Sequence, residues 1–229
     1  MTDLSFFRLL SLPYGVKCCG RNLALALVLT CAAVPAAAKT TILALGDSLT
    51  AGYGLPESDG LVAQLNAWLA KNGVDAQVLN AGVSGDTTAG GLARVEWSLD
   101  PEVQAMIVTL GGNDLLRGLP PSNARANIDA ILAVAADRRL PVLLVAMRAP
   151  GNFGPAYQAD FDAIYPDLAA KYGTLLVENF FAAIADETGA AIDQTFIQPD
   201  GIHPNAAGVA KIVESLGPRV EELTIRVSP

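Results

Sequence analysis

The sequence predicts an α/β protein, a three-layer α/β/α sandwich around a five-stranded parallel sheet. Short apolar runs alternate along the chain with longer amphipathic segments, as in repeated strand and helix units. The runs are rich in valine, isoleucine and leucine on every face, which is typical of strands buried on both sides of a parallel sheet. Five runs without an obvious second half, and without a GxGxxG or Walker loop, favour the flavodoxin-like arrangement over a dinucleotide-binding one.

Each apolar run predicts one strand, and each amphipathic segment predicts the helix that follows it. The strands are TILALG at 41–46, DAQVLNA at 75–81, VQAMIVTLG at 103–111, PVLLVAM at 141–147 and TLLVEN at 174–179. The helices lie near 60–72, 87–98, 122–138, 158–172 and 205–222. Pro204 fits the first position of the last helix, where no backbone donor is needed. Without a repeat or a linker, residues 39–229 are expected to form one domain.

Residues 1–38 have the three parts of a signal peptide. Lys17 and Arg21 form a basic region, residues 23–34 are almost wholly apolar, and three alanines at 36–38 provide a peptidase site. We therefore expect cleavage after this alanine run and a mature protein that is periplasmic or secreted.

Two other interpretations of this segment are weaker. An uncleaved membrane anchor needs roughly 20 apolar residues, whereas this run is shorter and Pro35 interrupts it. A lipoprotein would use Cys31, but Thr30 stands where a small residue is required. We expect no stable membrane insertion after cleavage.

The cysteines and charges of the chain exclude several classes of protein. All three cysteines lie within residues 1–38, so the mature chain has no cysteine nucleophile, iron–sulfur cluster, thiolate zinc site or disulfide. The whole chain has a net charge of −8, and without the leader 12 basic and 22 acidic side chains remain, a net charge of −10. Nucleic acids and anionic membranes are therefore not expected partners.

Polar residues that suit nucleophilic catalysis follow the predicted strands. Ser48 comes directly after the first strand, and a serine hydroxyl needs a neighbouring base such as His203, the only histidine in the chain. Asp200, three residues earlier, is placed to accept from the imidazole Nδ1–H and so to fix its tautomer. Each residue also has a purely structural interpretation, Ser48 and His203 as caps and Asp200 as a turn residue.

Two further residues are candidates for binding an oxyanion. Gly85 follows the second strand and offers an unobstructed backbone N–H, while Asn113 follows the third strand and offers its side-chain amide. The carboxyl ends of parallel strands meet at one edge of the sheet, so these turns are expected to lie together with the loop of His203. Each residue also has a purely structural interpretation, Gly85 as a tight-turn residue and Asn113 as a hydrogen-bond partner of the backbone.

Four short segments resemble the motif blocks of the SGNH (GDSL) hydrolases, in order and at fitting separations. They are GDSL at 46–49, SGDT at 84–87, GGND at 111–114 and DGIHPN at 200–205. The run NAGVSGDTTAGGLARV and the segment IYPDLA at 164–169 resemble the exported thioesterase I, arylesterase and lysophospholipase branch of that family. The likeness extends over about residues 41–222, nearly the whole mature chain.

The resemblance implies a serine esterase without a metal or other cofactor. Ser48 would be the nucleophile, His203 the base and Asp200 its orienting acid, and the oxyanion hole would consist of the Ser48 and Gly85 N–H groups and the Asn113 amide. Its substrates would be small-molecule carboxylic esters or thioesters, such as aryl esters, acyl thioesters or lysophospholipids, cleaved through an acyl-enzyme by a monomer.

The acyl pocket is expected between the loops at 54–60 and 148–157. Its candidate lining residues are Leu115, Leu116, Phe153 and Tyr157, although such side chains are more often part of a core.

Three alternatives remain at this point. A dinuclear metallophosphoesterase is nearly excluded, because its site needs several histidines and the chain has one. A non-catalytic flavodoxin-like binding module would not need serine, histidine, aspartate and asparagine together. A carbohydrate acetylesterase of the same family is the third, and the two aromatic residues of the 148–157 loop decide little between a sugar and an acyl chain.

Overall fold

The part of the chain that the structure describes forms one parallel sheet of five strands with helices on both faces. The computed structural model describes residues 39–186 and 191–227. The strands are β1 Thr40–Gly46, β2 Ala76–Gly82, β3 Ala105–Thr109, β4 Val142–Val145 and β5 Leu175–Val177, in the spatial order β2-β1-β3-β4-β5. This is the flavodoxin-like order, so the predicted fold class is confirmed. The predicted signal peptide, residues 1–38, lies outside the described residues.

The described helices cover the sheet in two groups. They are α1 Ser48–Ala51, α2 Leu61–Lys71, α3 Thr88–Ser98, α4 Gly112–Leu116, α5 Pro121–Asp137, α6 Pro155–Asp162, α7 Ile164–Tyr172 and α8 Ala206–Ile225. Helix α2 packs against α8, and α3 packs against α5, which also contacts α6 and α7. Short 3₁₀ turns at Glu57–Asp59, Gly151–Phe153, Ala182–Ile184 and Gln194–Phe196 complete the connections. Within the described ranges, no helix is long and apolar enough to cross a membrane.

The structure corrects two details of the predicted helices. The segment 158–172 is not one helix, because α6 ends at Asp162 and α7 begins at Ile164. Pro166 explains the break, since its nitrogen cannot donate to the Asp162 carbonyl and its ring would clash with it.

The second correction concerns the start of the last helix. Pro204 does not occupy the first position of α8, because the N-cap is Asn205, whose Oδ1 accepts from the Gly208 N–H at 3.0 Å. Pro204 instead forms an isolated antiparallel bridge with Ile197. The segment before α8 is therefore a tied loop rather than a helical turn.

The buried strands place the candidate residues at one edge of the sheet. Every residue of β3 and β4 is buried, as is β1 from its second residue onward. Gly46 at the end of β1 pairs with Gly82 of β2 and with Thr109 of β3. The three strands thus end at the same level, and the turns that follow them lie side by side above a rigid core.

Candidate active site

Ser48 begins the short helix α1 directly after β1. Asp47 caps this helix, because its Oδ1 accepts from the Leu49 N–H at 3.0 Å. The Ala51 N–H donates to the Asp47 carbonyl, and the Gly52 N–H to the Ser48 carbonyl. The serine is therefore held on a tight strand-to-helix turn at the sheet edge, where the sequence analysis expected it.

Ser48, His203 and Asp200 form one continuous chain of contacts. The Ser48 Oγ lies 2.8 Å from His203 Nε2, and His203 Nδ1 lies 2.6 Å from Asp200 Oδ2. Residues 155 positions apart in sequence are thus within hydrogen-bond distance. If the proton resides on Nδ1, Nε2 is free to accept the serine proton, which is the arrangement that makes a serine hydroxyl nucleophilic.

The Asp200 carboxylate is kept charged by its own loop. Its Oδ1 accepts from the His203 N–H at 3.0 Å and the Ile202 N–H at 2.9 Å. These backbone hydrogen bonds, joined by the contact with the His203 ring, lower the pKa of Asp200 to about 2. The carboxylate is therefore ionised at any pH at which the protein would work, and it can hold the imidazole in one orientation.

Tyr53 forms one wall beside the imidazole. Its ring centroid lies 4.7 Å from that of His203, with the two planes tilted by 39°. Only 15% of the His203 side chain is exposed, compared with 35% of the Asp200 side chain. The imidazole is thus mostly shielded, while its carboxylate partner faces water. Sequence reasoning gave Tyr53 no role, and no pattern in the sequence marks it.

Asn113 lies in the first turn of α4, directly above the end of β3. Its Nδ2 donates to the Asp47 Oδ2 at 3.3 Å. The next residue, Asp114, fixes α4 to the start of α3 by accepting from the Thr88 N–H at 2.8 Å and from the Thr88 hydroxyl at 2.7 Å. The amide that the sequence analysis assigned to an oxyanion hole is therefore anchored beside Ser48.

Gly85 lies in the turn after β2, at the same edge. Its φ of +87° belongs to the left-handed region that side chains rarely adopt, so this turn favours glycine. The Gly85 carbonyl accepts from the Arg117 Nη2 at 2.6 Å, which fixes the direction of the peptide that follows it.

Asp47 is a residue that the sequence analysis did not single out. Its side chain lies between Leu49 and Asn113, and only 1% of the residue is exposed. Burial raises the pKa of Asp47 to about 6, although the hydrogen bonds from Leu49 and Asn113 act in the opposite direction. The available signal was its position directly before the serine, but an aspartate in a turn is ordinarily a solvated cap.

Arg94 is a second residue that sequence reasoning missed. It is 8% exposed, and its guanidinium donates to the Gly46 carbonyl at 2.8 Å, the Ala81 carbonyl at 2.7 Å and the Asp86 carboxylate at 2.7 Å. One buried side chain thereby ties the end of β1, which leads into Ser48, to the turn that contains Gly85. On the sequence it is one charged residue of an amphipathic helix, which normally means a solvated position.

A cavity of about 420 Å³ opens beside Ser48, His203 and Asn113. Its further lining is mostly apolar and includes Leu115, Leu116, Met147, Pro150, Phe153, Phe181, Ile192 and Ile202. The structure therefore brings three of the four predicted pocket residues and part of the 148–157 loop to the cavity, whereas no residue of the predicted 54–60 loop lines it. Among the described residues that line it, Tyr157 is absent, because its hydroxyl donates to the Leu119 carbonyl at 2.8 Å and its ring packs behind Phe153 with centroids 4.9 Å apart.

Comparisons with known proteins agree with this geometry. Residues 44–211 match the model of the GDSL-like lipase/acylhydrolase family. The esterase TesA of Pseudomonas aeruginosa is 40% identical over 188 residues, which cover 82% of this chain and 90% of that protein. The thioesterase 1/protease 1/lysophospholipase L1 of Escherichia coli K12 is 36% identical over 190 residues, covering 82% and 86%.

A solved structure extends the likeness to three dimensions. The crystal structure of AlinE4, an SGNH-hydrolase family esterase, is 46% identical and has a TM-score of 0.67, covering 80% of this chain and 96% of that one. The residues that match the family model, 44–211, include Ser48, Asn113 and His203. The chain therefore belongs to the GDSL-like lipase/acylhydrolase family and is an SGNH-type carboxylic ester hydrolase.

Proposed function

We propose that the protein hydrolyses carboxylic esters and thioesters through an acyl-enzyme formed on Ser48. The observation that carries this proposal is the continuous chain from Asp200 through His203 to Ser48, with contacts of 2.6 Å and 2.8 Å, at the mouth of an apolar cavity. His203 is the general base, Asp200 orients it, and the Ser48 N–H, the Gly85 N–H and the Asn113 amide bind the oxyanion.

The reaction runs in two similar halves. The Ser48 Oγ attacks the acyl carbon while its proton passes to His203 Nε2, and the carbonyl oxygen becomes an oxyanion. The bond to the leaving alcohol or thiol then breaks, and His203 donates the proton to that group. Water attacks the acyl-enzyme in the same way, giving the free acid and restoring Ser48. Asp200 stays ionised throughout, because its pKa is lowered to about 2.

The apolar cavity supports the proposal that the protein recognises the acyl chain of its substrate. Its lining is dominated by side chains that gain free energy by excluding water from an alkyl or aryl group. The relatives are named as an esterase, an arylesterase and a thioesterase 1/protease 1/lysophospholipase L1. The esters and thioesters in these names have an acyl group in common and differ in the leaving group. We propose aryl esters, acyl thioesters and lysophospholipids as the substrate classes of this chain.

Substitution of Ser48 tests the mechanism. Ser48→Ala should lower kcat for p-nitrophenyl butyrate by at least about 10⁴-fold, because no other group forms the acyl-enzyme. An organophosphonate should label the parent protein at Ser48, as read by mass spectrometry of its peptides. Ser58→Ala is the matched control, since Ser58 is exposed and its hydroxyl donates to the neighbouring Asp59. Retained turnover in natively folded Ser48→Ala, or labelling at another residue, would overturn the proposal.

We also propose that the protein is exported and cleaved after the alanine run at 36–38. The basic region, the apolar segment and the small residues before the cleavage point support this. N-terminal sequencing of material from the periplasm or the medium should give Lys39 as the first residue, whereas a lipid on Cys31 would contradict it.

A further inference from the structure

The loop that carries Asp200 and His203 is closed on itself by Gln198. This loop lies between the 3₁₀ turn Gln194–Phe196 and helix α8, and the bridge between Ile197 and Pro204 closes its base. The Gln198 N–H donates to the His203 carbonyl at 2.7 Å, and the Gln198 carbonyl accepts from the Gly201 N–H at 3.0 Å. The backbone of Gln198 therefore sets the shape of the turn in which Asp200 contacts His203.

The side chain of the same residue reaches across to the segment of Ser48. Gln198 Nε2 donates to the Tyr53 carbonyl at 2.9 Å and to the Pro204 carbonyl at 2.9 Å. Tyr53 is in turn fixed to the nucleophile, because its N–H donates to the Ser48 carbonyl at 3.1 Å. A hydrogen-bonded path thus runs from the backbone of Ser48 through Tyr53 and Gln198 to the backbone of His203.

The packing at this point is fitted to the amide. Gly54 has a φ of +76°, and a Cβ placed on it would lie 2.2 Å from Gln198 Oε1. A side chain at position 54 would therefore displace the amide from between the two loops. The Tyr53 ring rests against the His203 ring, so a shift of the Tyr53 carbonyl would also move the wall beside the imidazole.

We propose that Gln198 is a positioning residue that holds His203 Nε2 at hydrogen-bond distance from Ser48 Oγ. This inference rests on the proposed serine mechanism. Gln198 is not among the described residues that line the acyl cavity, so its loss should leave substrate binding largely unchanged. Its effect should fall on proton transfer in both halves of the reaction, where a misplacement of about 1 Å costs up to about 10²-fold in rate.

Two substitutions separate positioning from simple stability. Gln198→Glu keeps the shape of the side chain but replaces the donor by an oxygen that faces two carbonyl oxygens, and Gln198→Ala removes the side chain. Both should lower kcat and kcat/KM for p-nitrophenyl acetate together, by about 10-fold to 10²-fold, with little change in KM. Gln77→Ala is the matched control, because Gln77 is exposed on β2 and, among the described residues, its amide donates to the Thr41 hydroxyl alone. It should retain the parent kcat.

The single histidine of the chain provides a second readout that stability alone would not move. In untagged protein, the ring resonances of His203 can be assigned without ambiguity by NMR. They should shift or broaden in both Gln198 variants and stay unchanged in Gln77→Ala.

Ser48→Ala, measured in parallel, separates the two proposals. If Ser48→Ala remains active, the serine mechanism itself is wrong. If Ser48→Ala is inactive while folded Gln198→Glu and Gln198→Ala keep the parent kcat and the parent His203 resonances, only the positioning role is wrong. A lowered melting temperature with unchanged kcat and resonances would likewise reduce Gln198 to a structural residue and overturn the proposal.

Discussion

Two carboxylates flank the proposed nucleophile, and they have the same local structure but opposite electrostatics. Asp47 Oδ1 accepts from the N–H two residues ahead, that of Leu49, and Asp200 Oδ1 accepts in the same way from Ile202. Asp47 is 1% exposed and its pKa is raised to about 6, whereas 35% of the Asp200 side chain is exposed and its pKa is lowered to about 2. Burial, and not the turn, therefore decides whether the group is readily charged.

The difference separates the site into two regions with different tasks. The sheet-side region, Asp47 with Asn113, is anchored in the buried ends of β1 and β3, so it can hold an uncharged donor in place. In the loop-side region, Asp200 with His203, the carboxylate faces water, so it can keep a full charge next to the shielded imidazole. An oxyanion hole depends on fixed geometry, whereas a general base depends on a reliable charge beside it.

The largest expected effect comes from breaking the loop-side region. Asp200→Asn keeps the size of the side chain but removes its charge, so it no longer fixes the tautomer of His203. We expect kcat to fall by about 10³-fold to 10⁴-fold, as judged by p-nitrophenyl butyrate hydrolysis.

The control for this prediction uses the same turn elsewhere in the chain. Asp193 Oδ1 accepts from the Thr195 N–H at 2.9 Å and from the Thr195 hydroxyl at 2.8 Å, so its carboxylate is held by a different residue. Asp193→Asn should keep activity within about twofold. A loss of less than tenfold in Asp200→Asn would mean that the charge of Asp200 is not needed, and the contrast between the two carboxylates would lose its functional meaning.

A smaller effect is expected from the donor of the sheet-side region. Asn113→Ala removes the amide that we propose binds the oxyanion more strongly than the ground-state carbonyl, so kcat should fall by about 10²-fold to 10³-fold with little change in KM. Asn127→Ala is a suitable control, because its amide donates to the Thr88 hydroxyl and Asn127 is not among the described residues that line the cavity. Unchanged kcat in Asn113→Ala beside a lowered melting temperature would make Asn113 a structural brace only.

Ser48 and the loop-side region could be predicted from the sequence, whereas the buried charged residues that support the other side of the site could not. Ser48 and His203 belong to the few residue types that perform nucleophilic chemistry, and His203 is unique in the chain, so their pairing was accessible without a structure. The buried strands were equally accessible, because their side chains are apolar on both faces. These signals depend only on residue type and order.

The support of the site depends on contacts between distant residues, which composition does not encode. Asp47 and Arg94 are charged residues in a turn and on a helix, and nothing local indicates that both become buried. Gln198 has the same difficulty, since its partner Tyr53 is 145 positions away. Tyr157 shows the opposite error: its place in the 148–157 loop indicated a pocket residue, but its ring packs behind Phe153 instead.

The smallest kinetic effect, and the sharpest test of the comparison, is expected from Asp47→Asn. The new asparagine can still accept from the Leu49 N–H, but its NH₂ group would face the NH₂ group of Asn113. The Asn113 amide should therefore turn over and present its oxygen to the substrate. Two donors cannot bond each other, and the oxyanion then loses one partner part of the time. We expect kcat to fall by about tenfold, less than in Asn113→Ala, because the other two donors are untouched.

The same substitution should make the protein more stable at neutral pH. The pKa of Asp47 is about 6 in the folded protein and 3.8 in an unperturbed aspartate, so the folded state binds the proton more tightly. The free energy of unfolding therefore decreases as the pH rises from about 4 to about 6, by an amount on the order of 2 kcal/mol, and asparagine does not titrate there. In urea unfolding, the free energy of unfolding of the variant should exceed that of the parent at pH 7 but not at pH 4. The control is Asp100→Asn, in an exposed turn where the carboxylate accepts from the N–H two residues ahead, that of Glu102, and it should show no such gain. A pH-independent difference for Asp47→Asn would mean that the buried carboxylate is not the group that titrates.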